Sequence, residues 1–365
     1  MTRYRHGLLI GKFYPPHLGH HSVIRQAAGL CDEVTVLVMA AAVETVGLAD
    51  RMGWLRAEHR SEDNVRVAGI ACDAPLDVND DRVWTAQVAA MRAGLRAAAA
   101  TVAVDAVFCA DAYGPELARR FGAESVAVAR TAVSSTMIRR DLAGRWSELA
   151  PSTRGGLTTR VVVVGAESTG TTTVAQELAS HYAARGGPWA RTRCVPEYGR
   201  EYTALKWSEQ PDRPLDRLVW ERSDFDAIAV EQTALENAAA TAGSPLLICD
   251  TDAFATSIWE RRYLGAAART DPPWSRVPRR AVYLVTDHHG VPWHDDGMRE
   301  GELDVRAAMT DWFVDALTAA GRSWVLLTGS LSERLELAVR TVDPLLEHAM
   351  AFGEPMHGPG FEAPP

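Results

Sequence analysis

A run of branched apolar residues, Val161 to Val164, leads directly into Gly165-Ala-Glu-Ser-Thr-Gly170-Thr171-Thr172-Thr173. A short apolar run, a glycine-bounded turn and a helical pattern together require a strand, a loop and a helix of an α/β unit. The spacing is that of a phosphate-binding loop, G-x-x-x-x-G-K-[ST]. In such a loop glycines let backbone N–H groups surround phosphates, lysine reaches the terminal phosphates and a hydroxyl holds Mg²⁺. Every element is present except the lysine. Position 171 is Thr, so the loop promises a nucleotide site and leaves phosphoryl transfer open.

At 365 residues the chain exceeds the size that one hydrophobic core usually serves, so two domains are expected. A second opening of the same kind supports this. Gly7-Leu-Leu-Ile10 runs through Gly11-Lys12-Phe13-Tyr-Pro-Pro-His17-Leu-Gly19-His20 into an amphipathic segment from Ser22 to Leu30. Between the openings, β-type runs at Val34 to Met39, Val65 to Ile70, Ala106 to Ala110 and Ser125 to Val128 alternate with helical stretches, including the alanine-rich Trp84 to Ala100. Beyond them, strands are expected at Val161 to Val164, Thr192 to Val195, Leu246 to Cys249, Ala281 to Val285 and Trp324 to Leu327. The rhythm predicts the α/β class, with two doubly wound parallel-sheet domains at 1–150 and 160–350. The turn-rich stretch 151–159 reads as a linker, and the Gly- and Pro-rich 353–365 as a mobile tail.

Apolar residues at 47% and charged residues at 23% fit a globular enzyme, and a net charge of -9 argues against an unassisted grip on nucleic acid. No apolar stretch is long enough to span a bilayer and the N-terminus lacks a signal peptide's apolar region, so a cytoplasmic location is expected. Cys31, Cys72, Cys109, Cys194 and Cys249 are odd in number and widely spaced, which suits reduced buried thiols.

The first loop has chemistry of its own. His17 and His20 stand at a helix entrance, where anions are favoured, and Gly19 permits close approach. Imidazoles there can stabilise charge growing on an α-phosphate as pyrophosphate leaves. Val133-Ser134-Ser135-Thr136-Met137-Ile138-Arg139-Arg140 places hydroxyls at another helix start with arginines one turn later, suited to β and γ phosphates. The plainer alternatives are satisfied surface histidines and an ordinary N-cap.

His17-x-Gly-His20 and Ser134-Ser-Thr136-x-Ile-Arg139 resemble the paired signatures of the nucleotidylyltransferase superfamily. With a P-loop domain following, the chain resembles the bifunctional NadR proteins over roughly residues 5 to 345. The resemblance implies a Rossmann-like adenylyltransferase domain followed by a ribosylnicotinamide kinase-like domain. The implied ligands are ATP, nicotinamide mononucleotide, nicotinamide riboside and NAD, with Mg²⁺ as the metal. In the first domain His17, His20, Lys12 and Arg139 are the implied catalytic groups, and Gly11, Phe13, Ser134 and Thr136 the implied ATP contacts. Arg51-x-x-Trp54-Leu55 matches a family helix. Trp54 and Trp84 are implied nicotinamide contacts, though either is equally a core residue.

In the second domain Gly165, Glu167, Ser168, Thr169, Gly170, Thr171, Thr172 and Thr173 are the implied ATP contacts, with Thr172 and Asp250 on Mg²⁺ and Asp250 alternatively the general base. Glu197-Tyr198-Gly-Arg200-Glu-Tyr resembles a family motif, and Asp250-Thr-Asp252 a Walker-B-like pair. Glu197, Tyr198 and Asp252 are placed on the riboside. So are Trp293 and Asp295, from a segment that resembles Pro-Trp-x-x-Asp-Gly-x-Arg and ends at Arg299.

Departures from the family pattern matter as much. Only six residues precede Gly7, so no DNA-binding segment of the enteric relatives is expected. Ser135 replaces a common glycine. Thr171 removes a charge for which Arg299, Arg261 or Arg262 would have to compensate, and the sequence selects none of them. Three readings follow: an enzyme with both activities, an adenylyltransferase whose P-loop domain only binds nucleotide, and a nucleotide-sensing regulatory module. The intact His17, His20 and Arg139 weigh against the last. A homo-oligomer is compatible with all three.

Overall fold

The computed structural model describes residues 3–98, 103–129, 132–210, 212, 214–269, 280–293 and 303–356. The chain forms two compact units, the first from Met1–Gly156 with Met350–Pro365 and the second from Leu157–Ala349.

In the first unit the strands are β1 (Tyr4–Gly11), β2 (Cys31–Ala40), β3 (Val65–Ala71), β4 (Ala106–Cys109) and β5 (Glu124–Ala127). The helices are α1 (Leu18–Leu30), α2 (Leu48–Glu58), α3 (Asp81–Ala97), α4 (Gly114–Phe121), α5 (Ser135–Arg140) and α6 (Pro151–Leu157). The sheet order is β3-β2-β1-β4-β5, and every pairing is parallel. Side chains alternate across β1 with period two. Leu9 packs with Ile24 of α1 and Leu55 of α2, while Leu8 packs with Val88 and Met91 of α3 and Leu117 of α4. Both faces are therefore covered. The winding reverses between β1 and β4, which opens a crevice beyond the carboxyl end of β1.

The second unit repeats the plan. Its strands are β6 (Thr159–Gly165), β7 (Arg193–Val195), β8 (Leu246–Asp250), β9 (Val282–Thr286) and β10 (Trp324–Leu327). Its helices are α7 (Thr171–Ala183), α8 (Tyr198–Ser208), α9 (Arg222–Ala242), α10 (Ala253–Leu264), α11 (Leu303–Ala319) and α12 (Leu331–Met350). The parallel order β10-β9-β6-β8-β7 puts β6 between β8 and β9, with every one of its residues buried. Burial on both faces is why Val161 to Val164 form a continuous apolar run rather than an alternation.

The division between the units falls inside 151–159 as expected, but the local structure of that stretch and of the tail differs from the expectation. The stretch read as a linker is helical over Pro151–Leu157. Proline is compatible with a first helical turn, and Gly156 serves packing: a Cβ there would lie 2.0 Å from Trp54 Nε1. The stretch read as a mobile tail makes contacts over its first residues. Tyr14 Oη donates to Gly353 O at 3.0 Å and Lys12 Nζ to Met356 O at 3.2 Å. Residues 357–365 lie outside the described residues. Among the described residues no helix is long and apolar enough to cross a membrane.

Candidate functional site

The carboxyl end of β1 delivers the histidine loop into the crevice of the first unit. His17 is the N-cap of α1: its Nδ1 accepts from Gly19 N at 3.1 Å, while His17 N donates to His20 Nδ1 at 3.3 Å. The two rings stack with centroids 3.7 Å apart. Because each Nδ1 accepts a backbone N–H, the neutral tautomer of each ring carries its proton on Nε2. Burial pushes His17 down to about 4, and burial with the charge of neighbouring histidines pushes His20 well below its ordinary value. At neutral pH the pair is thus a set of uncharged N–H donors.

Neighbouring elements fix the loop. Arg51, on α2, is fully buried and donates to Lys12 O at 2.9 Å and to Val46 O at 2.9 Å. It also pairs with Glu44 at 2.7 Å, and Lys12 Nζ reaches the same carboxylate at 2.9 Å. Burial pushes the Glu44 carboxyl up, but the hydrogen bonds from Lys12 and Arg51 outweigh it and hold the group below its ordinary value. From the other side, Ser135 Oγ donates to Pro15 O at 3.0 Å and Arg139 to Tyr14 O at 2.8 Å, with a second contact from Arg139 to Thr136 Oγ1 at 3.2 Å. Ser134 caps α5 through Met137 N. The ring of Phe13, next to Gly11, meets His20 edge-on at 4.9 Å. His17, His20, Lys12, Ser134, Thr136 and Arg139 are therefore gathered around one loop although more than a hundred residues separate the two segments.

In the second unit the turn after β6 is set by its backbone. Ser168 and Gly170 lie in the left-handed region at φ 58° and 85°, which turns successive N–H groups toward one side. Gly165 has no room for a side chain, since a Cβ would lie 2.1 Å from Thr286 Oγ1. Two buried arginines hold the loop by its carbonyls: Arg306 donates to Ser168 O at 2.8 Å and Arg334 to Thr169 O at 2.9 Å. Thr172 Oγ1 donates to Asp250 Oδ2 at 2.6 Å. Burial raises the Asp250 carboxyl above its ordinary value, opposed by that hydrogen bond and by the charge of Arg200. Among the described residues the non-glycine residues at positive φ are Phe13, Ser168 and Thr251, all in or beside these two loops. Such conformations persist where surrounding structure over-determines them, as at functional sites.

A single cleft joins this loop to α8, α9 and α10. Gly165, Glu167, Ser168, Thr171 and Asp250 line one end, and Glu197, Arg200 and Gln232 line its side. Trp220, Phe225, Trp259 and Tyr263 form an aromatic wall. Trp220 stacks on Tyr263 with centroids 5.0 Å apart and Trp259 lies near-parallel to Tyr263 at 6.4 Å.

Several expected positions fall elsewhere. Asp252, expected on the riboside, is fully buried and is not among the residues that line the cleft. It caps α10 by accepting from Ala255 N at 3.1 Å, and it binds Arg280 at 3.2 Å and Tyr283 Oη at 2.9 Å. Thr169 turns inward, with Oγ1 donating to Ala166 O at 2.7 Å and 2.6 Å from Thr286 Oγ1, so only its backbone serves the loop. Thr173 is exposed on α7. Trp84 is a core residue, its Nε1 donating to Val78 O at 3.0 Å, and Trp54 packs against Gly156. Tyr198 N donates to Gln232 Oε1 at 2.9 Å and its ring faces Tyr202. Arg261 stacks on Trp312 at 4.2 Å. Trp293 is half-buried, whereas Asp295 and Arg299 lie outside the described residues.

Against this geometry, a cytidylyltransferase-like family model matches residues 8–141 and an AAA domain model matches 160–334. The trifunctional NAD biosynthesis/regulator protein NadR of Salmonella typhimurium is 23% identical over 333 residues, which span 85% of this chain and 76% of that protein. The protein of the same name from Escherichia coli is 23% identical over 315 residues, spanning 80% and 71%. A solved structure of a NadR protein in complex with NR aligns with a TM-score of 0.62 at 19% identity, covering 94% of this chain and 96% of that one. In its sequence and in the order of its two domains the chain is similar to the NadR proteins.

The NadR-type order, a nucleotidyltransferase-like domain ahead of a P-loop domain, was legible in the motifs. The aromatic wall was not. Trp220 lies just before α9, Phe225 near its start and Trp259 and Tyr263 on α10, so no contiguous motif joins them. The one available signal was Trp259 and Tyr263 at i and i+4, which share a helix face.

Proposed function

We propose that the first unit adenylates nicotinamide mononucleotide with ATP, giving NAD and pyrophosphate, and that the second phosphorylates nicotinamide riboside to the mononucleotide. The observation that carries the first half is the stacked, neutral His17–His20 pair at the mouth of β1, tied to α5 by Ser135 and Arg139. An oxygen of the mononucleotide phosphate attacks the α-phosphorus of ATP. The bond from that phosphorus to the α–β bridging oxygen breaks, and pyrophosphate leaves with the electron pair. The Nε2–H groups of His17 and His20 hydrogen-bond the α-phosphate oxygens as their charge grows, while Lys12 and Arg139 orient the departing pyrophosphate.

For the second half, the aromatic wall beside Glu197 suits a cationic pyridinium ring, which gains from π-faces and a nearby carboxylate. Thr172 Oγ1 and Asp250 Oδ2, 2.6 Å apart, form an oxygen-only pair that fits Mg²⁺, a hard cation that keeps several waters. Mg²⁺ held there would neutralise charge on the β and γ phosphates. Thr171 favours a second reading, in which the P-loop domain binds nucleotide without transferring a phosphoryl group.

The purified chain is incubated with Mg-ATP and nicotinamide riboside, and in parallel with the mononucleotide, and products are separated by chromatography. Mononucleotide or NAD from the riboside supports both activities. NAD from the mononucleotide alone supports the second reading, and NAD from neither overturns the proposal.

A further inference from the structure

The P-loop of this chain lacks the cation that normally follows its second glycine, and Thr171 at the start of α7 offers only a hydroxyl. We propose that Arg200, on α8, supplies that charge to the β and γ phosphates of the nucleotide. The assignment rests on the reading of the second unit as a riboside kinase.

The cleft narrows the choice. Among the described residues that line it beside Gly165, Ser168, Thr171 and Asp250, Arg200 is the only basic side chain. Three other arginines of the second unit do not line the cleft and are held by other groups, whereas Arg200 lines it with its ion-pair partner Glu197. Arg306 and Arg334 hold the carbonyls of Ser168 and Thr169, so their charge braces the loop instead of entering the cleft. Arg261 is stacked on Trp312. The charge of Arg200 is felt at the Asp250 carboxylate, and its Nε lies 3.6 Å from Glu197 Oε2. Position and chemistry agree: Arg200 sits in the first turn of α8, whose N-terminal Tyr198 N is fastened to Gln232 of α9. A guanidinium presents a planar fork of donors that fits two phosphate oxygens at once, a task for which a lysine supplies only a point charge.

In the reaction the riboside 5′-oxygen forms a bond to the γ-phosphorus, and the bond from that phosphorus to the β–γ bridging oxygen breaks. ADP leaves with the electron pair and the hydroxyl proton passes to an oxygen of the transferred phosphoryl group, from which it is lost to solvent. Arg200 donates hydrogen bonds to the β–γ bridging and γ oxygens as negative charge collects on them.

The test measures riboside phosphorylation by the full chain and by Arg200→Gln, Arg200→Lys, Thr171→Lys and the double variant Thr171→Lys/Arg200→Gln. Adenylation of the mononucleotide serves as an internal control for the amount of active chain, and the circular dichroism spectrum and denaturation midpoint of each variant as the control for folding of the second unit. Arg200→Gln is expected to lower kcat by about 100-fold or more, with the riboside KM moving less than about 3-fold. Arg200→Lys is expected to retain an intermediate rate. In the double variant the restored loop lysine is expected to recover at least about 10-fold of the loss. Retention of kcat by Arg200→Gln overturns the assignment, and so does a loss that Thr171→Lys fails to repair. An unsubstituted chain that adenylates the mononucleotide but never phosphorylates the riboside overturns the kinase reading itself, and the role of Arg200 falls with it.

Discussion

The loop after β1 presents side chains, whereas the loop after β6 presents backbone. In the first, two neutral imidazoles stand at the head of α1, and a buried arginine, Arg51, holds Lys12 O and Glu44 so that the loop keeps its shape. In the second, Ser168 and Gly170 at positive φ turn N–H groups to one side, while buried arginines grip the outward carbonyls. Both units use buried arginine as a brace. On the proposed roles they differ in where the reacting charge is met: in the first by imidazoles within the loop itself, aided by Arg139 of α5, and in the second by Arg200, a side chain from a separate helix. On that reading, a loop that carries its own donors is sensitive to substitution at one short segment, and one that borrows its cation is expected to tolerate Thr171.

The largest expected effect breaks the first loop alone. His17→Ala with His20→Ala is expected to lower adenylation by about 1000-fold, while riboside phosphorylation by the second unit stays within about 2-fold. Equal loss of both activities would show that the loops are not independent. Next, Arg51→Met leaves Glu44 partly uncompensated and is expected to destabilise the chain by on the order of 3 kcal/mol, measured by chemical denaturation. An unchanged midpoint would mean that Lys12 alone satisfies the buried carboxylate.

A smaller effect sharpens the second site. Trp259→Ala removes part of the aromatic wall and is expected to raise the riboside KM by about 10-fold with a lesser change in kcat. A KM within about 2-fold of the original would place the pyridinium elsewhere.

The smallest expected effect is on pH. His17 is pushed to about 4 from an ordinary value of 6.5, so between these values the unfolded chain binds a proton that the folded chain does not. Stability from this group is full above the ordinary value and falls as pH is lowered toward 4. Between pH 7 and 6 its share is under about 1 kcal/mol, to be read from denaturation midpoints at the two pH values. A rise in stability over that interval would contradict a neutral, buried His17.

How much of this was legible depended on whether the chemistry is local in sequence. Val161 to Val164, the glycines of the P-loop and the His17–His20 spacing fix local conformations: buried strands, turns at positive φ and a helix cap. Each follows from steric and hydrogen-bonding rules that act over a few residues. The two doubly wound sheets followed from the alternation of strands and helices. Asp252 and Trp84 went the other way. Their types suit a ligand site, but Arg280 and Tyr283 on or next to β9 claim the carboxylate, and the packing of α3 claims the indole.

By itself, then, the sequence determined the α/β class, the two strand–loop–helix openings and the absence of a lysine at 171. Only the tertiary structure decided that Arg51 braces the first loop, that Trp220, Trp259 and Tyr263 form one wall, and that Arg200 shares a cleft with Thr171 and Asp250. The physical reason is that a loop's backbone conformation is written within a few residues of chain. The charges and rings that serve the loop are brought to it by the order of strands in the sheet and by the faces on which helices pack.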